Sequence, residues 1–270
     1  MNDFIKKYYE QTSFWDQDYL DNPIEKNRIE EIYKIIPEDT EMILDVGCGN
    51  GSFLNFLQTT NRYKKLIGID SSEEALKYVK TEKIKGGAAA LPFKDYEFDL
   101  ITCLETLEHL THKEFKKTLL EIQKVSKKYI IITVPNDEDI EHSLVSCSMC
   151  HCCFNSYFHL RSFNENKLES LLNNFKLTKI KTIGPISKYK KYNKFLLDLR
   201  SAFKKSIPPK TAICPQCGYQ QSKKEKQKNN TIKKKSLNAY CILKNIIKIF
   251  LPIEKRQRWL LALYTKKQNE

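Results

Sequence analysis

The run Ile43-Leu44-Asp45-Val46-Gly47-Cys48-Gly49-Asn50-Gly51 constrains this chain more than any other segment. An apolar stretch ends in three glycines at alternate positions, which predicts a short buried strand, Met42 to Val46, turning into a helix over Gly51 to Thr59. Glycine at such a turn accepts backbone angles that other residues resist and brings backbone close to a ligand with no Cβ between. The spacing is Gly-x-Gly-x-Gly, whereas a dinucleotide fold carries Gly-x-Gly-x-x-Gly and rests a pyrophosphate on the helix N-terminus. Asp45 ahead of the loop would repel a pyrophosphate and suit an ammonium group, directly or through water. Asp70, about 20 residues further on, is placed to accept hydrogen bonds from two ribose hydroxyls. Together the loop and the two acids predict a cationic, phosphate-free ligand; the competing reading is a flavodoxin-like turn with two surface aspartates.

The rest of the first half alternates strands and helices. Leu66 to Ile69 reads as a buried strand, Ser71 to Lys80 as a helix, Ile84 to Ala88 as a weak strand and Phe98 to Cys103 as a stronger one. Phe115, Leu119, Leu120, Ile122, Gln123 and Val125 have helical spacing, and Tyr129 to Val134 is a β-branched run stopped by Pro135. Strands joined by crossover helices predict an α/β fold with a doubly wound, mostly parallel sheet. Beyond it, Glu165 to Phe175 reads as a helix and Leu177 to Ile183 as a strand ended by Gly184 and Pro185. Residues 1–184 are then the core, with 41–135 binding the cofactor. Residues 185–257 are a basic insertion, helical near Tyr192 to Lys204 and low in complexity from Gln220 to Lys235. Residues 258–270 return as the final strand and tail.

The motifs in the core resemble the class I methyltransferases, in the group called methyltransferase type 11. The resemblance rests on the glycine loop, on Ala90-Leu91-Pro92-Phe93, on Glu97-Phe98-Asp99-Leu100-Ile101 and on Glu105-Thr106-Leu107-Glu108-His109-Leu110, in that order. It implies a Rossmann-like fold and S-adenosyl-L-methionine as cofactor, held by Asp45, Gly47, Cys48, Gly49, Gly51, Asp70, Ser71, Gly87, Ala88, Leu91, Leu104 and Glu105. One departure stands out. The family places an acidic residue about four positions before the leucine of Leu-Pro-Phe, where it accepts from the adenine amino group; here that position is Gly87, so adenine is left to backbone groups and packing.

Methyl transfer from a sulfonium needs alignment and exclusion of water, and a general base only where the acceptor is protonated. His109 follows the fourth strand at the sheet edge where ligands of open α/β sheets bind. His159 and Arg161 lie beyond the fifth strand, where an acceptor would approach. His109 and His159 are the candidate bases and Arg161 a candidate anion clamp, each against a purely structural role.

Cys147-Ser148-Met149-Cys150 and Cys214-Pro215-Gln216-Cys217 each offer two thiolates to one tetrahedral ion, and four thiolates close the coordination sphere of a structural zinc. The long separation is no obstacle, because loop closure grows costlier only slowly with length. His151, Cys152 and Cys153 crowd the first pair as alternative ligands, while Cys48, Cys103 and Cys241 read as buried thiols. Resemblance to bacterial and archaeal methyltransferases with a zinc knuckle followed by His-Leu-Arg-Ser-Phe supports the four-cysteine set.

The net charge of +13 is uneven, with roughly 22 basic and 4 acidic residues from Pro185 onward. Such a tail can face phosphate, an anionic membrane surface or only water. No run of ~18 apolar residues spans a membrane, though a basic amphipathic Leu237 to Ile253 leaves surface attachment open. Met1 to Tyr9 lacks an apolar stretch long enough for a secretion signal, so a cytoplasmic location is expected. The leading expectation is a methyltransferase for a small-molecule or saccharide-type acceptor. The alternatives are RNA or protein methylation through the basic insertion, with nucleic acid not favoured, and a non-catalytic zinc-ribbon binding protein.

Overall fold

The computed structural model describes residues 3–16, 19–190, 212–220 and 253–268. Three helices lead in: α1 (Asp3–Tyr9), α2 (Thr12–Trp15) and α3 (Pro23–Tyr33). The α/β core follows as β1 (Met42–Val46), α4 (Ser52–Thr59), β2 (Lys65–Asp70), α5 (Glu73–Leu76), β3 (Glu82–Lys85), β4 (Phe98–Leu104), α6 (His112–Val125) and β5 (Ser126–Pro135). A small hairpin of β6 (Leu144–Ser146) and β7 (Cys153–Asn155) precedes α7 (Glu165–Glu169), and two long strands, β8 (Phe175–Lys190) and β9 (Ile253–Lys266), complete the described chain.

The seven-stranded sheet has the order β3-β2-β1-β4-β5-β9-β8. The first five strands are parallel, and β9 runs antiparallel to both neighbours. This is the doubly wound, mostly parallel sheet read from the sequence. Its strand order reverses between β1 and β4, which opens a crevice at their carboxyl ends. Leu44, Val46, Ile67, Ile69, Ile101, Ile130 and Ile132 fill one core layer, while Ile29, Ile32, Ile43, Leu100, Ile131 and Trp259 fill the other. Asp99 is a structural acid: one of its oxygens accepts from the Glu41 and Met42 backbone N–H groups, both at 3.1 Å, fixing the entry to β1.

Several elements differ from expectation. The helix expected to reach Lys80 stops at Leu76, because Asn55 takes over the backbone: its Oδ1 accepts from Lys80 N at 2.8 Å and its Nδ2 donates to Tyr78 O at 3.1 Å. The weak strand lies at Glu82–Lys85 rather than Ile84 to Ala88, since Gly86 N donates to Asp70 O as the chain leaves the sheet. Helix α7 covers only Glu165–Glu169, and the Leu168 carbonyl that a longer helix would use accepts the Tyr264 hydroxyl at 2.7 Å. Leu120 of α6 is exposed.

Gly184 and Pro185 do not end their strand; β8 runs on to Lys190, with a register shift between Ile183 and Ile186. Gly184 has φ +83°, and the Trp259 ring lies where its side chain would be. Proline is tolerated beside it because β8 is the edge strand. The last strand likewise begins at Ile253, ahead of Trp259. The expected helix at Tyr192 to Lys204, the low-complexity stretch after Gln220, nearly all of Leu237 to Ile253, and Cys241 lie outside the described residues. Among the described residues, no helix is long and apolar enough to cross a membrane.

Candidate functional site

At the carboxyl edge of β1 and β2, the glycine loop is tied to the neighbouring strand: Gly47 N and Cys48 N both donate to Ile69 O, at 2.8 and 3.1 Å. Gly47, Gly49 and Gly51 all have positive φ, which favours glycine. The space a Cβ would take is filled by protein rather than left open. At Gly47 it would lie 2.4 Å from Thr106 Oγ1, and at Gly49 2.8 Å from the Trp15 ring. The Cys48 thiol packs into a small core with Leu54, Leu76 and Val79, leaving the loop's backbone as its functional face.

Asp70 spans the loop and the following helix. One carboxylate oxygen accepts from Gly49 N at 2.9 Å and the other from Ser72 N at 2.8 Å. Each oxygen keeps further lone-pair capacity for a ligand hydroxyl. Burial raises its pKa, opposed by those backbone hydrogen bonds. Ser72, rather than Ser71, caps α5, and Ser71 is exposed.

Asp45, which the sequence places to meet an ammonium group directly or through water, is buried. It is 2% exposed and its Oδ1 accepts from Thr102 Oγ1 at 2.6 Å. Burial pushes its pKa up to about 7. A folded-state pKa raised above the unfolded value makes the folded protein bind the proton more tightly, so this group's contribution to stability declines as pH rises from about 4 to about 7. Asp45→Asn keeps an acceptor for Thr102 and removes the charge. The variant is expected to gain ~2 kcal/mol over wild type at pH 8 and much less at pH 4.5, read as a difference in Tm at the two values.

Of the other expected contacts, Leu91 is buried in the core with its N–H on Glu121 Oε2, and Ala88 packs against the same core. A Cβ at Gly87 would meet nothing within 4 Å, so this position is open. Leu104 ends β4, and Glu105 follows in a left-handed conformation with φ +52°.

The N-terminal segment covers this edge, a contact with no cue in the sequence. Asn50 Nδ2 donates to Trp15 O, and Ser72 Oγ donates to Tyr9 O at 2.9 Å. Glu10 accepts from the backbone of Glu73 and Glu74 at the start of α5. The Tyr9 hydroxyl, on the same short segment, is 2.9 Å from His109 Nδ1.

His109 and His159 meet, their ring centroids 4.6 Å apart, and Glu108 lies against them. His159 Nδ1 is hydrogen-bonded to Glu138, a partner the sequence reading did not single out. Burial, with His159 adding to it, pushes the His109 pKa down to about 3, which makes it a neutral imidazole and a weak base. Glu108 is 1% exposed, and its pKa is raised well above the ordinary value by burial and by Glu105. Arg161, expected as an anion clamp, donates to Leu107 O and stacks on Phe115 with its guanidinium 4.2 Å from the ring centroid.

The four cysteines come together. Cys147, Cys150, Cys214 and Cys217 place their sulfurs within 4.8 Å of one another. Cys147 Sγ to Cys217 Sγ and Cys150 Sγ to Cys214 Sγ are both 3.6 Å, close to the ~3.8 Å edge of a tetrahedron built on ~2.3 Å zinc–sulfur bonds. The two turns share one geometry. The residue after the second cysteine, His151 or Gly218, has positive φ and donates its N–H to the carbonyl of the first cysteine. Met149 N also points at Cys147 Sγ. The donor set therefore fits a closed tetrahedral ion, with the Cys152 sulfur 3.3 Å from that of Cys214.

Residues 44–132 match the family model described as a methyltransferase domain. An uncharacterized protein of Methanocaldococcus jannaschii is 34% identical over 105 residues, 38% of this chain and 45% of that one. The ubiquinone biosynthesis O-methyltransferase of Thiobacillus denitrificans is 35% identical over 78 residues, 25% of this chain and 33% of the relative. The small RNA 2'-O-methyltransferase of Mus musculus is 24% identical over 137 residues, 43% of this chain and 35% of the relative. The chain spans about half the length or less of these curated relatives. A structure of a complex between the Haloferax volcanii Trm112 methyltransferase activator and a methyltransferase aligns with a TM-score of 0.56 at 12% identity, covering 100% of this chain and 98% of that one, and so shares its fold. Residues 44–132 are a methyltransferase domain of the type 11 group on a class I methyltransferase fold.

Proposed function

We propose that the protein transfers the methyl group of S-adenosyl-L-methionine to a hydroxyl of a small-molecule or saccharide-type acceptor, with a structural zinc held by Cys147, Cys150, Cys214 and Cys217. The observation that carries the cofactor reading is Asp70. At the end of β2, inside the segment that matches the methyltransferase domain, it clamps the glycine loop and retains lone pairs for two ribose hydroxyls.

When bound, this cofactor supplies an electrophilic methyl on a sulfonium whose leaving group is a neutral thioether. The chain's own residues position it. The Gly47 to Gly49 backbone would hold the methionine side and the Gly87 to Leu91 stretch the adenine side, with Leu104 and Glu105 toward the methyl. Buried Asp45 would act on the ammonium through the loop rather than by exposed contact. Trp15 and Tyr9, laid over the loop, exclude water from the transfer.

The acceptor side is the edge holding His109 and His159, beyond β4. A hydroxyl acceptor is favoured because two relatives over this domain are named O-methyltransferases. An RNA hydroxyl is the second reading, supported by the small RNA relative together with the basic balance after Pro185.

Isothermal titration of the purified protein tests the cofactor. S-adenosylmethionine and its demethylated product are expected to bind at micromolar levels and a nucleotide diphosphate not to bind. Uptake of the diphosphate with neither sulfur nucleoside bound would reject the reading. Labelled methyl transfer to metabolite and RNA pools then separates the two acceptor classes.

A further inference from the structure

We infer that Glu108, His109 and His159 bind a divalent first-row metal cation, separate from the four-cysteine cluster, whose open side takes the oxygen of the acceptor hydroxyl. The ligand atoms of these three residues all lie within 4.8 Å of one another, and His109 Nε2 is 3.9 Å from Glu108 Oε1. Ligands about 2.1 Å from an ion stand up to roughly 4.2 Å apart, so a small inward movement closes the set.

Three features make this a built site rather than a chance meeting of side chains. First, Glu108 is 1% exposed and neither of its oxygens has a hydrogen-bond partner. A buried carboxylate without such partners is costly, and a cation is a partner that would satisfy it. Second, both imidazoles are held from behind. The Tyr9 hydroxyl engages Nδ1 of His109, and Glu138 engages Nδ1 of His159. Nε2 is then the nitrogen of each ring that these two partners leave, with the Tyr157 and Phe158 backbone also beside His109, and outer partners of this kind orient metal-binding histidines. Third, Glu108 and His109 follow directly on β4, at the carboxyl edge where β1 and β2 present the glycine loop and Asp70.

Two imidazoles and a carboxylate leave coordination positions open and suit manganese, iron or cobalt(II) better than a closed thiolate cage does. On the methyl-transfer reading, from which this role follows, the acceptor oxygen binds the cation and its O–H bond breaks, the proton passing to solvent water. The oxygen then forms a C–O bond to the methyl carbon as the C–S bond breaks, and that bonding pair stays on sulfur. The cation thus supplies the activation that a hydroxyl acceptor needs.

Zinc-loaded protein titrated with Mn²⁺ and followed by electron paramagnetic resonance is expected to take up about one equivalent. Glu108→Gln and His159→Asn are expected to abolish that uptake, and Glu138→Gln to weaken it ~10-fold. Zinc content and S-adenosylmethionine titration serve as the controls for folding. No saturable Mn²⁺ binding by the wild type, or equal binding by correctly folded Glu108→Gln and His159→Asn, overturns the site. Loss of cofactor binding with Mn²⁺ uptake intact would instead reject methyl transfer and leave the cation site standing.

Discussion

Asp70→Ala is expected to weaken S-adenosylmethionine binding by ~10³-fold, about 4 kcal/mol, because two charge-assisted hydrogen bonds to ribose are lost together. The same substitution frees Gly49 N and Ser72 N, so the glycine loop and the start of α5 lose their common tie. These two effects separate. Asp70→Asn keeps one acceptor oxygen but loses the charge, so it should recover part of the affinity while binding a deoxyribose analogue relatively better than wild type does. Calorimetry on both variants, with Tm measured alongside, is the check. An Asp70→Ala protein that folds and binds the cofactor as tightly as wild type would remove the central support for the ribose assignment.

The parts of the fold legible in the sequence are those whose signal is local. β1, β2, β4 and β5 are buried on both faces, so they appear as continuous apolar runs, and the glycines after β1 mark the turn. The cysteine pairs were legible for the same reason: two short spacings carry the whole ligand set. The extension of β8 was not. Gly184-Pro185 is a stop signal over any short window, and only Trp259, more than seventy residues away, shows that the glycine makes room for a ring within a strand. The cover over the glycine loop was equally hidden, since Tyr8, Tyr9, Phe14 and Trp15 have no periodicity that says what they meet. In Glu105-Thr106-Leu107-Glu108-His109 the sequence points to Glu105 as a cofactor position and His109 as a base, and gives no sign that the Glu108 oxygens are buried without hydrogen-bond partners.

On the proposed zinc site, removing the ion should have consequences far from the cysteines. Cys147 and Cys214 sit in a compact cluster with Tyr8, Val145, Phe154, Phe158, Ala212 and Ile213, against which Phe4 and Ile5 of α1 also pack. A Cβ at Gly218 would lie 2.4 Å from the Phe4 ring, so the second cysteine turn and the N-terminal helix are in direct contact. This cluster is small and draws on segments distant in sequence, so an ion held by the four thiolates would carry much of its cohesion, and bound zinc contributes ~10 kcal/mol or more in small zinc-dependent folds. Chelation under reducing conditions, or Cys214→Ser, is therefore expected to release residues 212–220, the β6–β7 hairpin and α1. The parallel core β1 to β5 should stay folded, as it shares none of the cluster's side chains. Tyr9 leaves with α1, so the Ser72 contact over the loop and the hydroxyl on His109 Nδ1 go as well, and cofactor affinity should fall ~10-fold although no cofactor contact was altered. Hydrogen exchange on the zinc-free protein should show protection lost over residues 3–15 and 144–158 and kept over 42–46 and 98–104. Uniform loss would mean that the ion supports the whole domain, and no loss would mean that the cysteine cluster holds together without it.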